Sequence, residues 1–300
     1  IPDKMPAQNL FSGSYLDRRA ETRLSPDWLG EAQRDAGTRY LLMRGTETLM
    51  WLAADGTPVP RLLGGDDPRV ATTTAPDRLL LLGWFREQRC LLVELDPEAT
   101  PSGPEEHFAE LRPLANQLPA EDAGLIAYAR ALSVWRANHR HCSRCGAPTL
   151  GTRAGHVREC VSCGLQNFPR IDPAVIVLVQ DGERALLGRQ ASWPPGRYST
   201  IAGFVEPGES LEDAVYREVM EEAGIRTSNI EYQSSQPWPF PASLMLGFLA
   251  RGEYAEPRFT DGELEDARWF TRPQLENGEV LLPPTHSISR QLIDNWIAAG

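Results

Sequence analysis

Residues 203–225 read GFVEPGESLEDAVYREVMEEAGI, and the spacing inside this stretch decides how the last third of the chain folds. Ser210 followed by Asp213 is a capping-box start and Gly224 is a natural C-terminal stop. A helix of about three and a half turns is therefore expected from Leu211 to Ala223. On it Leu211, Val215, Val219 and Ala223 recur every four residues and form the stripe that packs on a core. Glu218, Glu221 and Glu222 lie on the adjoining stripe, so their like charges crowd together. Crowding of that kind destabilises a bare helix, and a hard divalent cation with oxygen ligands is the natural compensation. Gly203 and Gly208 let the preceding loop turn sharply and approach a ligand closely. Arg217 is placed to pair with Glu209 and hold that loop against the helix. An isolated ExxEE run is ordinarily a solvated acidic face. The glycines and the arginine at fixed offsets argue against that reading here.

Gly203, Glu209, Arg217, Glu218, Glu221, Glu222 and Gly224, with aliphatic Val219 and Ile225, match the complete Nudix box. The chain thus resembles the Nudix hydrolases, which cleave nucleoside diphosphates linked to some other group. At usage of roughly 5–7% per residue type, seven fixed positions recur by chance about once in 10^8 windows. Carboxylates holding a divalent cation suit that reaction, because the cation neutralises a pyrophosphate and activates a water for attack on phosphorus.

The bulk numbers set the frame. Three hundred residues suggest two domains or so, and 41% hydrophobic with 24% charged residues is ordinary for a globular chain. A net charge of −11 argues against a broad nucleic-acid or anionic-membrane surface. No apolar run approaches the ~18 residues of a membrane span, so no membrane partner is expected. The first residues, IPDKMPAQNLF, lack a basic segment followed by an apolar one, so no secretory signal is expected. They also lack an initiator methionine, which points to a few trimmed residues. Five cysteines in a chain this long make no disulfide framework, and a reducing cytoplasm is the expected location.

Four of those cysteines form two matched pairs. Cys142-x-x-Cys145 and Cys160-x-x-Cys163 are separated by fourteen residues, and a glycine follows each pair directly. That spacing is close to a zinc ribbon, whose four thiolates at about 2.3 Å close a tetrahedral structural site. One zinc per chain is expected. A redox dithiol is the main rival, but it would not need a second matched pair. Cys90, alone in the strand-like run RCLLVEL, reads as a core thiol.

Along the chain, RYLLMRG, TLMWLA, LLLLGWF and RCLLVEL are hairpin-like apolar runs separated by Gly, Asp and Pro. Residues 1–104 are accordingly expected to form a mainly β domain. Residues 105–137 read as linking helices, with Leu125, Ala129, Leu132 and Trp135 on one face, and 138–168 as the zinc ribbon. From 169 to 300, strands AVIVLVQ, ALLGR, YSTIAGF, IEYQSSQ, SLMLGFLARG and DARWFT surround the box helix, and a final amphipathic helix falls near 286–298. The fold class is thus α+β with an α/β part: a β domain, a ribbon, and an α/β/α Nudix sandwich.

Ten residues past the box comes SQPWPFPAS, residues 235–243. Read physically, it is a proline-stiffened loop with two flat rings that suit stacking on a nicotinamide or purine. An ordinary turn with its aromatics in the core is the plain alternative. Together with the ribbon, the segments HRHCSRCG and CGLQNFPR, and the tail LLPP at 281–284, this loop resembles the NADH pyrophosphatases of the NudC type. The resemblance covers about residues 110–300 well. It implies a homodimer with structural zinc that uses Mg²⁺ or Mn²⁺ to split NADH or NAD⁺ into a nicotinamide mononucleotide and AMP. Some such enzymes also remove NAD caps from RNA.

The resemblance also assigns residues. Metal ligands would be the Ala202 carbonyl, Glu218, Glu222 and Glu263, with Glu221 binding metal or helping to activate water. Glu209 and Arg217 complete the catalytic set. Gln236, Pro237, Trp238, Pro239, Phe240, Pro241, Ala242 and Ser243 would contact substrate, with Ser289 nearby. Phe168, at a position where relatives often have tyrosine, would stack, and Arg112 is a candidate phosphate or nucleotide contact. One position departs from the pattern: five residues before Cys160 some relatives have a substrate-touching glutamate, and here stands Gly155, with His156 or Glu159 as potential replacements. Two other functions compete. One is a Nudix hydrolase for ADP-ribose or other nucleoside diphosphate derivatives. The other is a zinc-ribbon RNA-binding protein with a vestigial hydrolase domain, which the intact box acids and acidic charge disfavour.

Overall fold

In the computed structural model, residues 9–73, 75–259 and 262–299 are described. The chain divides into two compact units, the first comprising Phe11–Arg170 with Pro239–Ala242 and the second Ile171–Trp238 with Asn9, Leu10 and the chain from Ser243 on.

The first unit begins with β1 (Leu16–Asp17), α1 (Trp28–Arg34), β2 (Arg39–Arg44), β3 (Glu47–Leu52), β4 (Pro58–Pro60) and β5 (Leu62–Leu63). It continues through α2 (Pro68–Ala71), β6 (Leu79–Phe85), β7 (Gln88–Leu95), β8 (Glu106–Glu110), α3 (Leu111–Leu114) and α4 (Ala120–Asn138). Its eight strands form one sheet in the order β1-β6-β7-β2-β3-β4, with β5 on β2 and β8 on β3. As the apolar runs suggested, β2–β3 and β6–β7 close antiparallel hairpins, and the parallel pair β2–β7 joins the two hairpins in one sheet. Alternate residues face opposite sides. Tyr40, Leu42, Leu91 and Val93 pack towards α1, while Leu41, Met43, Cys90 and Leu92 pack against Leu125, Ala129, Leu132 and Trp135 of α4. Truncating any one of these large side chains would cost about 2–5 kcal/mol. Burial pushes the Cys90 thiol up to about 12, as fits an inert core residue.

Residues 105–110 are not helical. His107 pairs with Met50 and Phe108 with Leu49, so this stretch extends the sheet as β8. Glu and Ala in it favour a helix intrinsically, but ladder pairing and the partial burial of Phe108 outweigh that weak preference. Pro113 and Pro119 then confine the regular helix to α4.

The ribbon follows as a small sheet of β9 (Thr149–Thr152), β10 (Val157–Cys160) and β11 (Gln166–Asn167), in the order β11-β10-β9. It is fastened to the rest of its unit by charge-assisted bonds. Asp77 accepts from Arg158 Nη1 at 2.6 Å and from the Gly151 N–H at 2.6 Å. Buried Arg136 donates to the Gly155 carbonyl at 3.1 Å and also to the Asp77 carbonyl.

The second unit contains β12 (Asp172–Asp181), β13 (Arg184–Arg189), β14 (Ile201–Phe204), α5 (Leu211–Ala223), β15 (Thr227–Trp238) and β16 (Ser243–Gly252). It ends with β17 (Asp266–Thr271), α6 (Arg272–Glu276) and α7 (Ile288–Ala298). The sheet order is β15-β16-β12-β13-β17, with β14 on β12 and a central parallel pair β12–β16. Val175, Val177 and Val179 face α5 with its Val215, Val219 and Ala223. Ile176 and Leu178 face α7 with its Leu292, Ile293 and Trp296. Helices on both faces of one sheet make the expected α/β/α sandwich. The box helix has the expected bounds and both capping-box bonds, and Gly224 ends it at φ 67°.

Candidate active site and zinc centre

The box helix α5 aims its polar stripe at β14. Glu218 and Glu222 are buried, at 8% and 3% exposure, whereas Glu221 is exposed. Gly203 lies directly under Glu218, since a Cβ there would come within 1.9 Å of the carboxyl carbon. Only glycine lets the strand pass this close. Ala202, next to it, pairs with Ile176 at the middle of the sheet.

Arg217 ties these parts together. It grips Glu209 with two bonds, Nε at 2.5 Å and Nη2 at 3.0 Å, and Nη2 also donates to the Phe204 carbonyl at 2.9 Å. Its Nη1 reaches Glu218 at 2.9 Å and Glu221 at 3.0 Å. The loop–helix brace expected from sequence is therefore formed, and Arg217 also sits between two box acids. The bonds from Arg217 hold the Glu209 carboxyl down at about 2. Burial pushes the Glu218 carboxyl above its ordinary value, Arg217 opposes this, and the charges of Glu221 and Glu263 reinforce it. Glu263 thus faces the same cluster from the loop before β17.

This donor set fits a hard divalent cation. One guanidinium cannot balance Glu209, Glu218, Glu221, Glu222 and Glu263, and two of these acids are held out of water. Among the described residues, the group of ligand atoms converging within 4.8 Å is a different one, the four thiols of Cys142, Cys145, Cys160 and Cys163. Among the described residues the box carboxylates do not form such a group, and Arg217 bonds three of them. In the ribbon, Sγ–Sγ separations are 3.6 Å for Cys142–Cys163, 3.5 Å for Cys145–Cys160 and 3.6 Å for Cys145–Cys163. A tetrahedron with Zn–S of about 2.3 Å has edges of about 3.8 Å, so the four sulfurs already approximate that figure. The N–H groups of Cys163 and Ser162 point at Cys160 Sγ and draw that thiol down to about 6. Against the Ala147 backbone hydrogen bond, the neighbouring sulfurs of Cys160 and Cys163 push the Cys145 thiol up to about 11, so it is the convergence of the four sulfurs that makes zinc fit.

The candidate substrate residues fall into two groups. In the second unit, the indole of Trp238 stacks on His286 with centroids 6.4 Å apart and planes 14° apart. Pro237 precedes it on β15, and Ser243 opposite pairs with Trp238. Gln236 is 0% exposed, and its amide is engaged by Leu10, His286 and Ile288 backbone groups. Ser289 is likewise buried and bonded to Ser199 and Thr200. Both are spent on internal bonds and face no open surface. In the first unit, Phe240 lies under Arg130 at 4.8 Å and Arg112 at 5.7 Å from ring centroid to guanidinium carbon. Arg130 also donates to the Pro239 carbonyl, and the Phe240–Pro241 bond is cis, with Ala242 closing the turn. Arg112 and Phe240 are thus brought together. Arg130 and His286 escape a sequence reading, because only the fold carries them to these rings.

Phe168 follows β11 and is 56% exposed. Gly155 has φ 88°, and a Cβ there would lie 2.9 Å from Leu80, so no glutamate fits this backbone. His156 is buried with its Nε2 on the Leu81 carbonyl, whereas Glu159 is half-buried on β10 and accepts from Gln166 at 2.9 Å. Of the two, Glu159 is the acid within reach of solvent.

Three family profiles match in succession: an NADH pyrophosphatase-like rudimentary NUDIX domain over residues 37–135, an NADH pyrophosphatase zinc ribbon domain over 137–168, and a NUDIX domain over 170–296. The chain is 34% identical over 339 aligned residues to NAD-capped RNA hydrolase NUDT12 of Macaca fascicularis, covering 97% of this chain and 73% of that protein. It is 44% identical over 218 residues to NAD-capped RNA hydrolase NudC of Mycobacterium bovis, covering 68% and 69%. A solved NUDIX hydrolase from Nitrosomonas europaea superposes with a TM-score of 0.43 at 18% identity, over 53% of this chain and 90% of that one.

Proposed function

Because the chain belongs to the Nudix hydrolases, and within them to the NAD-capped RNA hydrolases, we propose that it splits the pyrophosphate of NADH and NAD⁺ into nicotinamide mononucleotide and AMP, and removes NAD caps from RNA. The observation that carries this reading is the pair of buried carboxylates, Glu218 and Glu222, set against Gly203 and braced by Arg217.

Glu218, Glu222, Glu263 and the Ala202 carbonyl are the proposed ligands of magnesium or manganese. Bound there, the cation supplies charge neutralisation for the pyrophosphate and an acidified water. The chain's own part is to position and to accept protons. Arg217 holds the loop of Glu209 in place, so that the Gly203 backbone and the acids keep fixed spacing. Glu221, the exposed box acid, is the proposed acceptor of a proton from the attacking water. The water oxygen bonds to one phosphorus, the P–O bond to the bridging oxygen breaks, and the released phosphate carries away that electron pair. Trp238 and Phe240 are proposed to stack on the bases, with Arg112 on a phosphate. Phe168 is proposed as a further stacking contact.

The four cysteines bind one structural zinc, a closed site with no position for catalysis. A homodimer in a reducing cytoplasm is proposed. The resemblance supports the dimer, and the five unbridged cysteines support the compartment. Product analysis of NADH, NAD⁺, ADP-ribose and NAD-capped RNA with Mg²⁺ or Mn²⁺ tests the whole reading. Nicotinamide mononucleotide and AMP are expected from the dinucleotides. Preference for ADP-ribose would overturn the assignment.

A further inference from the structure

Within the first unit lies a cavity of about 460 Å³ that the reaction above touches only through Phe168. Its walls include Arg23, Leu24, Arg153, His156, Phe168 and Pro169. That volume lies within the range of small-ligand sites, roughly 300–1,000 Å³.

The two guanidinium groups on its walls are largely unspent. Arg23 has its Nε buried with no hydrogen-bond partner, and its Nη2 makes only a long 3.4 Å bond to Tyr128. A buried donor left in this state is costly, and an anionic acceptor would satisfy it. Arg153 is exposed and makes no ion pair among the described residues. It also sits in a strained conformation, with φ 49°, followed by Ala154 at 53° and Gly155 at 88°. A left-handed arginine is less stable there than asparagine or glycine would be. The turn itself is explained by Ala154, whose carbonyl accepts from Leu81, and by Gly155, whose carbonyl accepts from Arg136. Nothing in the fold explains why the first of the three should be arginine.

The surroundings are cationic as well. Burial first, then the charges of Arg23, Arg136 and Arg18, depress His156 to about 4, so the ring is neutral and the field around it positive. Glu21 is the acid on these walls. The remaining surface is apolar, with Leu24 at 68% and Phe168 at 56% exposure. Unsatisfied guanidinium groups beside an exposed ring are the combination that holds single-stranded nucleic acid, phosphate on the cations and base on the ring.

We infer that this cavity takes the first RNA nucleotide after the NAD cap, its phosphodiester on Arg153 and Arg23 and its base against Leu24, Pro169 and the Phe168 ring. The inference rests on the reading of the chain as an NAD-cap hydrolase, and Phe168 connects the two, being both a cavity wall and a proposed substrate contact. It assigns the strand beyond the cap to a local cationic pocket on a protein whose net charge is −11.

The test compares NADH with a 5′-NAD-capped ten-nucleotide RNA, using Arg153→Asn, which tolerates the left-handed turn, and Arg153→Glu. For the capped RNA, KM should rise about ten-fold with Asn and further with Glu, with kcat unchanged and the salt slope reduced by about one. NADH kinetics should not move, and the melting temperature of Arg153→Asn should equal or exceed that of the wild type. Equal loss on both substrates, or a capped-RNA KM within two-fold of wild type for Arg153→Glu, would overturn the inference. Equilibrium binding of a 5′-phosphorylated ten-nucleotide RNA provides a reading that needs no turnover. Weakening by Arg153→Glu supports the site even if the wild type cleaves neither substrate, an outcome that would sink the functional reading alone. Full displacement of that RNA by millimolar AMP or inorganic phosphate would show a free-nucleotide site and reject the RNA strand as occupant.

Discussion

The Cα of Gly203 and the carboxyl group of Glu218 are in direct contact, because a methyl group on Gly203 would stand 1.9 Å from the carboxyl carbon. The loop glycine and the helix acid are therefore one structural unit, although fifteen residues separate them in sequence.

Gly203→Ala should evict Glu218 from its place while leaving the sheet paired. A drop in kcat/KM of about a hundred-fold or more on NADH is expected, the size of losing one metal-positioning carboxylate. Circular dichroism and melting should stay near wild type. Activity within a few-fold of wild type would show that Glu218 acts elsewhere.

Glu222→Gln removes one buried charge and keeps the shape. Hydrolysis should fall by several kcal/mol of barrier, more than a hundred-fold. Stability should hold or rise, since a buried carboxylate is costly when no cation faces it. Turnover above a tenth of wild type at saturating metal would refute the ligand role.

Zinc removal should loosen the ribbon. Cys142→Ser or Cys160→Ser is expected to lower the melting temperature, because metal binding and folding are coupled. Metal analysis should find about one tightly held zinc per chain, with Mg²⁺ or Mn²⁺ exchanging freely. Loss of activity on zinc removal from a protein that remains fully folded would contradict a purely structural site.

Trp238→Ala breaks the stack on His286 and should cost about 1–3 kcal/mol on NADH, roughly ten- to two-hundred-fold. Pro237→Gln should act similarly by freeing the backbone of β15. Mn²⁺ binding should be unchanged in both, measured separately from turnover. Unaltered NADH kinetics would return this hairpin to a plain structural role.

Acid should weaken the first unit through His156. Its folded pKa of about 4 lies below the ordinary 6.5, so between those values the unfolded chain binds more protons. Stability is therefore full above about pH 6.5 and declines as the pH falls towards 4, by up to about 3 kcal/mol. His156→Gln should flatten this segment of a denaturation-versus-pH curve. A variant whose curve parallels the wild type across that window would show that His156 is not the titrating group.

What the sequence determined by itself was whatever depends on near neighbours. The capping box at Ser210 and Asp213, the four-residue apolar stripe of α5 and the two Cys-x-x-Cys turns are set by contacts a few residues apart, and each was readable before any fold was known. The alternation that sends Val175, Val177 and Val179 to one helix and Ile176 and Leu178 to another is equally local, because a strand's side chains alternate whatever it pairs with. Tertiary structure decided everything that depends on which distant segment arrives. Glu106–Glu110 became a strand because β3 offered it a ladder. Gln236 turned inward because Leu10, His286 and Ile288 supplied its partners. Arg130 met Pro239 across 109 residues of chain, and Asp77 met Arg158 across 81. The reason is physical: hydrogen bonds and ion pairs are short-ranged, so their partners are fixed only after the hydrophobic layers have packed and brought remote stretches within reach.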